Sequence, residues 1–198
     1  MRALAALAAF ALGLSAAWGQ SAEPVRPDSF ETRASQLYAG DPMADIKLRV
    51  EEIFGIFLVD PPRRHASEVV ELSGDQVVVR YWQPSGGFTD AELQTRAVQW
   101  SLLGRTQFSA GARAVFSEMP GTREIVLVFH DVFRKDQKGR RMGEESVVPY
   151  LKIRLTQDRF DRLKLKPVEQ CVERSDCSSV FRVAFDEARF DRKGIKVR

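Results

Sequence analysis

The two cysteines are the residues whose spacing points most directly to a covalent bond. Cys171 and Cys177 are the only cysteines in the chain, and they enclose a segment of seven residues. In an oxidising compartment such a pair favours a structural disulfide, whereas a redox-active pair is usually the tighter Cys-x-x-Cys. We therefore predict a structural disulfide between Cys171 and Cys177.

Few residues are available for catalysis, because the only histidines are His65 and His130. The sequence contains no zinc-peptidase, nucleophile-elbow or P-loop motif. Asp131 follows His130 directly, but adjacent strand residues point to opposite faces, so Asp131 is poorly placed to orient the imidazole. We predict no catalytic residue, no metal site and no cofactor. The alternative is a hydrolase that uses His130 and carboxylates in a pattern the sequence does not reveal.

A basic loop carries the clearest signal for a binding partner. Residues 134–141 contain one acidic residue and five cations. The cations are Arg134, Lys135, Lys138, Arg140 and Arg141. On a hairpin tip such charges project together, and arginine pairs bidentately with phosphate or carboxylate. We predict that this loop binds a polyanion. The alternative is a solvated loop whose charges only keep the chain soluble.

Three aromatic residues flank the loop that leads into the next helix. Tyr81 and Trp82 precede its Pro-Ser-Gly-Gly sequence and Phe88 follows it, so the three rings could line a groove for a ligand. The alternative is that they belong to the hydrophobic core, where aromatic side chains are common.

These residues must be positioned by a long helix and an apolar strand. Thr89 and Glu92 form a Thr-x-x-Glu capping box, and Pro120 and Gly121 supply a stop. Between them, small and apolar residues recur at steps of three and four, which predicts one helix over about 90–119. These residues are Leu93, Ala97, Trp100, Gly104, Phe108, Ala112, Phe116 and Met119. The apolar run 124–129 then predicts a central strand.

The remaining pattern favours an α+β fold with an antiparallel sheet packed against the long helix. An additional N-terminal helix is predicted from residue 41 onward, and a hairpin joins strands 66–72 and 76–82 at a Ser-Gly-Asp turn. Further strands are expected at 147–155 and 180–185. Residues 156–163 fit either a helix or an extension of the preceding strand.

The first residues predict the compartment. Arg2 precedes an apolar run that is too short to span a membrane, and Ala17 and Gly19 fit a cleavage site. We predict a signal peptide over 1–19, a flexible lead-in over 20–40 and a single domain over 41–198, with no membrane span in the mature chain. An uncleaved anchor is the alternative. The absence of asparagine and the excess of arginine over lysine are typical of a GC-rich bacterial genome.

Together these features favour an exported bacterial envelope protein, periplasmic or secreted, that binds or scaffolds without catalysis. The expected partner is an envelope polyanion or an envelope protein. An exported hydrolase is the alternative function. The net charge of +3 includes a basic C-terminal third, which fits an acidic partner but fits a solvated surface as well.

Overall fold

The computed structural model describes residues 38–56, 69–105, 109–135 and 141–191, with side chains at all of these positions except 132–135 and 141–146. The predicted signal peptide, residues 20–37 of the predicted lead-in and residues 192–198 lie outside the described residues. His65, Phe108 and residues 136–140 of the basic loop also lie outside them.

The described residues form six helices and five strands. The helices are α1 (Ala44–Phe54), α2 (Asp90–Leu102), α3 (Ala112–Glu118), α4 (Gln157–Arg162), α5 (Leu165–Glu173) and α6 (Ser178–Ala184). The strands are β1 (Val70–Ser73), β2 (Gln76–Trp82), β3 (Glu124–Lys135), β4 (Arg141–Thr156) and β5 (Glu187–Phe190). All five strands belong to one sheet, in the order β1-β2-β3-β4-β5. The predicted α+β class and the additional N-terminal helix are confirmed.

The sheet is mostly antiparallel, as predicted, but its β2–β3 pair is parallel. Parallel neighbours cannot be joined by a tight turn, so the chain between them crosses the sheet through α2 and α3. The predicted hairpin is present as β1 and β2, with Ser73 paired to Gln76 across the turn. The predicted central strand is β3, which lies between β2 and β4.

The core lies on the sheet face that α2 covers. Ile125, Leu127 and Phe129 of β3 alternate along this face and are buried. Their neighbours in β2 and β4 are buried in register with them, including Tyr81, whose ring lies 5.3 Å from that of Trp100 in α2. Residues 125–129 of β3 lie between two strands and beneath a helix, which explains why this part of the strand is apolar.

The predicted helix over 90–119 is corrected to two helices, α2 and α3. Its start is as predicted, because Thr89 Oγ1 accepts from the amide of Glu92 at 3.3 Å and Glu92 Oε2 accepts from the amide of Thr89 at 2.7 Å. The helix ends at Leu102, however, and Gly104 follows with a left-handed φ of +85°. A glycine that fits the apolar stripe therefore acts as a helix terminator.

A backbone junction explains this break. The amides of Ala110 and Gly111 both donate to the carbonyl oxygen of Ile53 near the end of α1, each at 3.2 Å. Gly111 has a φ of +57°, and a Cβ atom built on it would lie 2.7 Å from the nitrogen of Gly104 and from the carbonyl carbon of Leu102. We call this contact of Ile53, Gly104 and Gly111 the glycine junction. A continuous helix would not allow it.

Replacing Gly111 with alanine tests the glycine junction. Left-handed backbone costs an alanine about 1–2 kcal/mol, and the crowding adds about 1–3 kcal/mol, so Gly111→Ala should lower the free energy of unfolding by about 2–5 kcal/mol. Gly121→Ala is the matched control, because Gly121 also has positive φ but a Cβ atom added there would meet nothing within 4 Å. Urea denaturation measures both, and equal losses would show that crowding at Gly111 is unimportant.

The strand predicted at 180–185 is wrong, because these residues lie mostly in α6. Phe181 and Ala184 are buried three residues apart, which is a helical spacing that the short apolar run does not reveal. Asp176 fixes the start of α6 by accepting from the amide of Ser178 at 3.1 Å. The edge strand that follows is β5. Residues 157–162 form the short helix α4, and Thr156 caps it.

The two cysteines are bonded in the structure, at an S–S distance of 2.07 Å. Cys171 lies in α5, Cys177 immediately precedes α6, and both are buried. The amide of Cys177 also donates to Thr95 Oγ1 of α2 at 2.9 Å. The disulfide therefore holds the α5–α6 turn in the position where it packs on α2.

Removing the disulfide should weaken the fold without abolishing it. Closing a seven-residue loop is worth about 2 kcal/mol in the chain-entropy treatment, so Cys171→Ala together with Cys177→Ala should lower the free energy of unfolding by about that amount. Denaturant titration measures the change, and thiol labelling of the wild-type chain provides the control. Free thiols in material from an oxidising compartment would contradict the prediction.

Candidate functional site

The aromatic residues predicted to line a groove occupy different environments. Tyr81 lies in the core, where its ring stacks on Phe129 at 4.9 Å. Trp82 is the next residue of β2, points to the other face of the sheet and stacks on His130 at 5.8 Å. Tyr81 and Trp82 therefore line no common surface. Phe88 is half-buried before α2 and lies beneath an arginine.

That arginine is Arg96, on the half-buried flank of α2. Its guanidinium carbon lies 3.8 Å from the centre of the Phe88 ring, which is a close cation–π contact. A guanidinium that stacks on a ring keeps the N–H groups of its edge available for an acceptor. The Phe88 ring therefore supports the Arg96 guanidinium on one side.

A second arginine repeats this arrangement just beyond the end of α2. Arg105 follows Gly104, and its guanidinium carbon lies 4.8 Å from the centre of the Trp100 ring. Arg105 is half-buried. Burial is the largest effect on the pKa of Arg105 and lowers it. The interaction with Tyr81 raises this pKa, and the nearby charge of Arg96 lowers it. The protein therefore holds two positive charges near each other in a partly desolvated place.

In the part of the chain that the structure describes, no carboxylate forms an ion pair with either arginine. Among the described residues, Arg96 and Arg105 make no ion pair within 4 Å, whereas Arg49, Arg80 and Arg154 each do. The acidic residue one turn before Arg96 is Glu92, whose carboxylate accepts from Thr89 in the capping box. That hydrogen bonding lowers the pKa of Glu92, and the positive charge of Arg96 lowers it by a smaller amount.

We call Phe88, Arg96, Trp100 and Arg105 the arginine patch. Two half-buried guanidinium groups that form no ion pair within 4 Å among the described residues make a site that favours a carboxylate or a phosphate, because a guanidinium can present two parallel N–H donors to two oxygens. Of the four residues, only Phe88 was among the predicted site residues. The four-residue spacing from Arg96 to Trp100 is visible in the sequence, but the return of Arg105 over Trp100 depends on the glycine junction.

His130 and Asp131, which were considered for catalysis, do not form a catalytic pair, and Asp131 is bound by Ser85 instead. Ser85 Oγ donates to a carboxylate oxygen of Asp131, and the amide of Ser85 donates to the same oxygen at 3.0 Å. Both residues are buried, and Ser85 has 0% relative exposure. The ring of His130 packs on Trp82 at the opposite face of β3. Ser85 is therefore bound directly to the carboxylate and closed to a substrate, so this contact anchors the loop before α2.

Removing the hydroxyl of Ser85 should destabilise the fold. A buried acceptor that loses a hydrogen bond costs about 1–3 kcal/mol, so Ser85→Ala should lower the free energy of unfolding by about that amount. Ser117→Ala is the control, because its hydroxyl only donates within its own helix, to Ala114 at 3.2 Å. Thermal and urea unfolding measure both. A loss no larger than that of the control would exclude an anchoring role.

Of the basic loop, Arg134 and Lys135 are the last residues of β3 and Arg141 is the first of β4, where Lys135 pairs with Arg141. Lys138 and Arg140 lie outside the described residues, as do the side chains of Arg134, Lys135 and Arg141. Polyanion binding by this loop stays a prediction.

Two further classes of feature are missing from the described part of the chain. No group of three or more His, Cys, Asp or Glu side chains there is arranged to hold a metal ion. No helix in the described ranges combines the length and apolar character needed to cross a membrane.

Comparison with known proteins finds no family model that matches the chain and no significant match among curated proteins or solved structures.

Proposed function

We propose that this chain is an exported, non-catalytic binding protein of the bacterial envelope, and that the arginine patch binds an anionic group of its ligand. The observation that carries the proposal is the pair of half-buried guanidinium groups of Arg96 and Arg105, each lying over an aromatic ring and neither in an ion pair with a described carboxylate. An anion would supply the missing counter-charge.

The physical argument rests on the cost of an unpaired charge. A half-buried cation loses part of its hydration, and an opposite charge at short distance restores the loss. Arg154, for comparison, lies between Glu124 at 3.1 Å and Glu187 at 3.6 Å. Arg113 and Arg182 also form no ion pair with a described residue, but both are exposed to water, whereas Arg96 and Arg105 are half-buried.

Other features agree with a binding protein of this kind. The disulfide suits an oxidising compartment outside the cytoplasm, which is also the compartment that the sequence of 1–19 predicts. The buried Ser85 and Asp131 provide no accessible nucleophile. The basic loop would add a second contact if the ligand is a polyanion that reaches the β3–β4 hairpin.

The test separates binding from stability. Arg96→Gln together with Arg105→Gln should weaken binding of heparin and of inorganic pyrophosphate at least about tenfold, because two charge-assisted contacts are lost. The free energy of unfolding should change by no more than about 1 kcal/mol, because relief of the unpaired charges offsets the lost cation–π contacts. Isothermal titration calorimetry and urea denaturation provide the two measurements.

Two controls complete the design. Arg113→Gln removes an exposed cation of α3 and should leave both affinities unchanged. Replacing the five cations of the basic loop with glutamine should reduce heparin binding but not pyrophosphate binding, since pyrophosphate is too small to reach both sites. Equal affinity of the wild-type chain and the double variant for both probes would overturn the assignment.

A further inference from the structure

A groove lies on the side of the molecule where α1 meets the β1–β2 turn and the end of α3. Its volume is about 550 Å³. Apolar lining residues include Met43, Ile46, Leu72, Met119 and Pro120. We call this feature the α1 groove.

The groove exposes apolar surface that the fold does not cover. Met43 and Ile46 have relative exposures of 40% and 39%, and the third large apolar side chain classed as exposed in the described part of the chain, Val183, lies in α6. Clustered exposed apolar side chains with polar residues around them are typical of an interaction surface. The occupant should therefore contribute apolar side chains.

The charged residues of the groove favour a basic occupant. Arg49 is bound by Glu52 at 2.5 Å and by Glu118 at 2.8 Å, so one cation faces two anions. Hydrogen bonds from Glu118 and Glu52 raise the pKa of Arg49. Asp45 also lines the groove and makes no ion pair with a described residue. The rim thus carries an excess of negative charge.

One segment of this same chain has the complementary composition. Residues 192–198 read Arg-Lys-Gly-Ile-Lys-Val-Arg, with four cations and no acidic residue. Ile195 and Val197 are separated by one residue, so in an extended peptide their side chains lie on one side and can enter the same groove. The segment combines the apolar and basic character that the groove requires.

The segment cannot reach the groove of its own molecule. Phe190 in β5 is aligned across the sheet with Tyr81 in β2, and the two strands are three positions apart in the strand order. Gln76, which lines the groove, lies five residues before Tyr81 in β2. That separation is about 22 Å, at about 4.8 Å per strand and 3.3 Å per residue. A fully extended chain from Asp191 spans at most about 21 Å to Val197 and about 14 Å to Ile195.

We propose that residues 192–198 of one copy bind the α1 groove of a second copy of this chain. Ile195 and Val197 pack against Met43 and Ile46, while the neighbouring cations pair with Asp45 and Glu118. The contact is head-to-tail, because the donor segment follows β5 and the acceptor groove adjoins β1, at opposite edges of the sheet. This inference does not depend on the anion-binding function.

A labelled peptide of residues 191–198 tests the contact directly. Fluorescence anisotropy should show that it binds the purified chain ending at Asp191, and that Ile46→Lys weakens binding at least about tenfold because it removes an apolar contact and brings a cation against a basic peptide. Val183→Lys is the matched control, since Val183 is an exposed apolar residue outside the groove, and it should bind like the parent. A peptide of the same composition in scrambled order should bind at least about tenfold more weakly.

Self-association of the full chain provides the second measurement. Sedimentation velocity should show a weight-average mass that rises with concentration for the wild-type chain and stays at one copy for Ile195→Asp. Ile195 lies outside the described fold, so this variant leaves the groove intact. The proposal is overturned if the scrambled peptide binds equally well, if Ile46→Lys binds like Val183→Lys, or if the chain ending at Asp191 associates as the wild type does.

Discussion

The glycine junction is the contact on which both proposed surfaces depend. The carbonyl of Ile53 receives two amides from the chain between α2 and α3, and this is possible only because Gly104 and Gly111 allow their backbones to meet. The junction ends α2 early enough for Arg105 to fold back over Trp100. It also fixes α3 beside α1, and the α1 groove lies where these helices meet the sheet. One close approach of backbones therefore shapes two distant features.

The parts of the fold that could be predicted are those governed by local chemistry. Each of three elements follows from a short sequence pattern that has a single structural interpretation. They are the capping box at Thr89, the hairpin between β1 and β2, and the buried strand β3. The break at Gly104 could not be predicted, because a glycine in an apolar stripe looks like a small helix residue until a second backbone is known to touch it. The same limitation concealed the return of Arg105.

The misreading of 180–185 has a different origin. Val180 to Phe185 is a short run with five apolar residues, and the periodicity of so short a run does not distinguish a strand from a buried helix. The disulfide and the turn at Asp176 bring these residues against α2, where a helix buries Phe181 and Ala184 together. Tertiary packing therefore decides the local structure, and the sequence around it carries only a weak preference.

The edges of the sheet have a consequence for behaviour at high concentration. Among the described residues the outermost strands, β1 and β5, are four residues long each, whereas β3 and β4 are 12 and 16 residues long. A short edge offers few unpaired backbone groups to a neighbour, and β5 also carries the charged Glu187 and Arg189. The apolar residues 125–129 of β3 pair with β2 on one side and with β4 on the other, so the stretch most able to template amyloid-like stacking presents no open backbone edge to a neighbouring molecule.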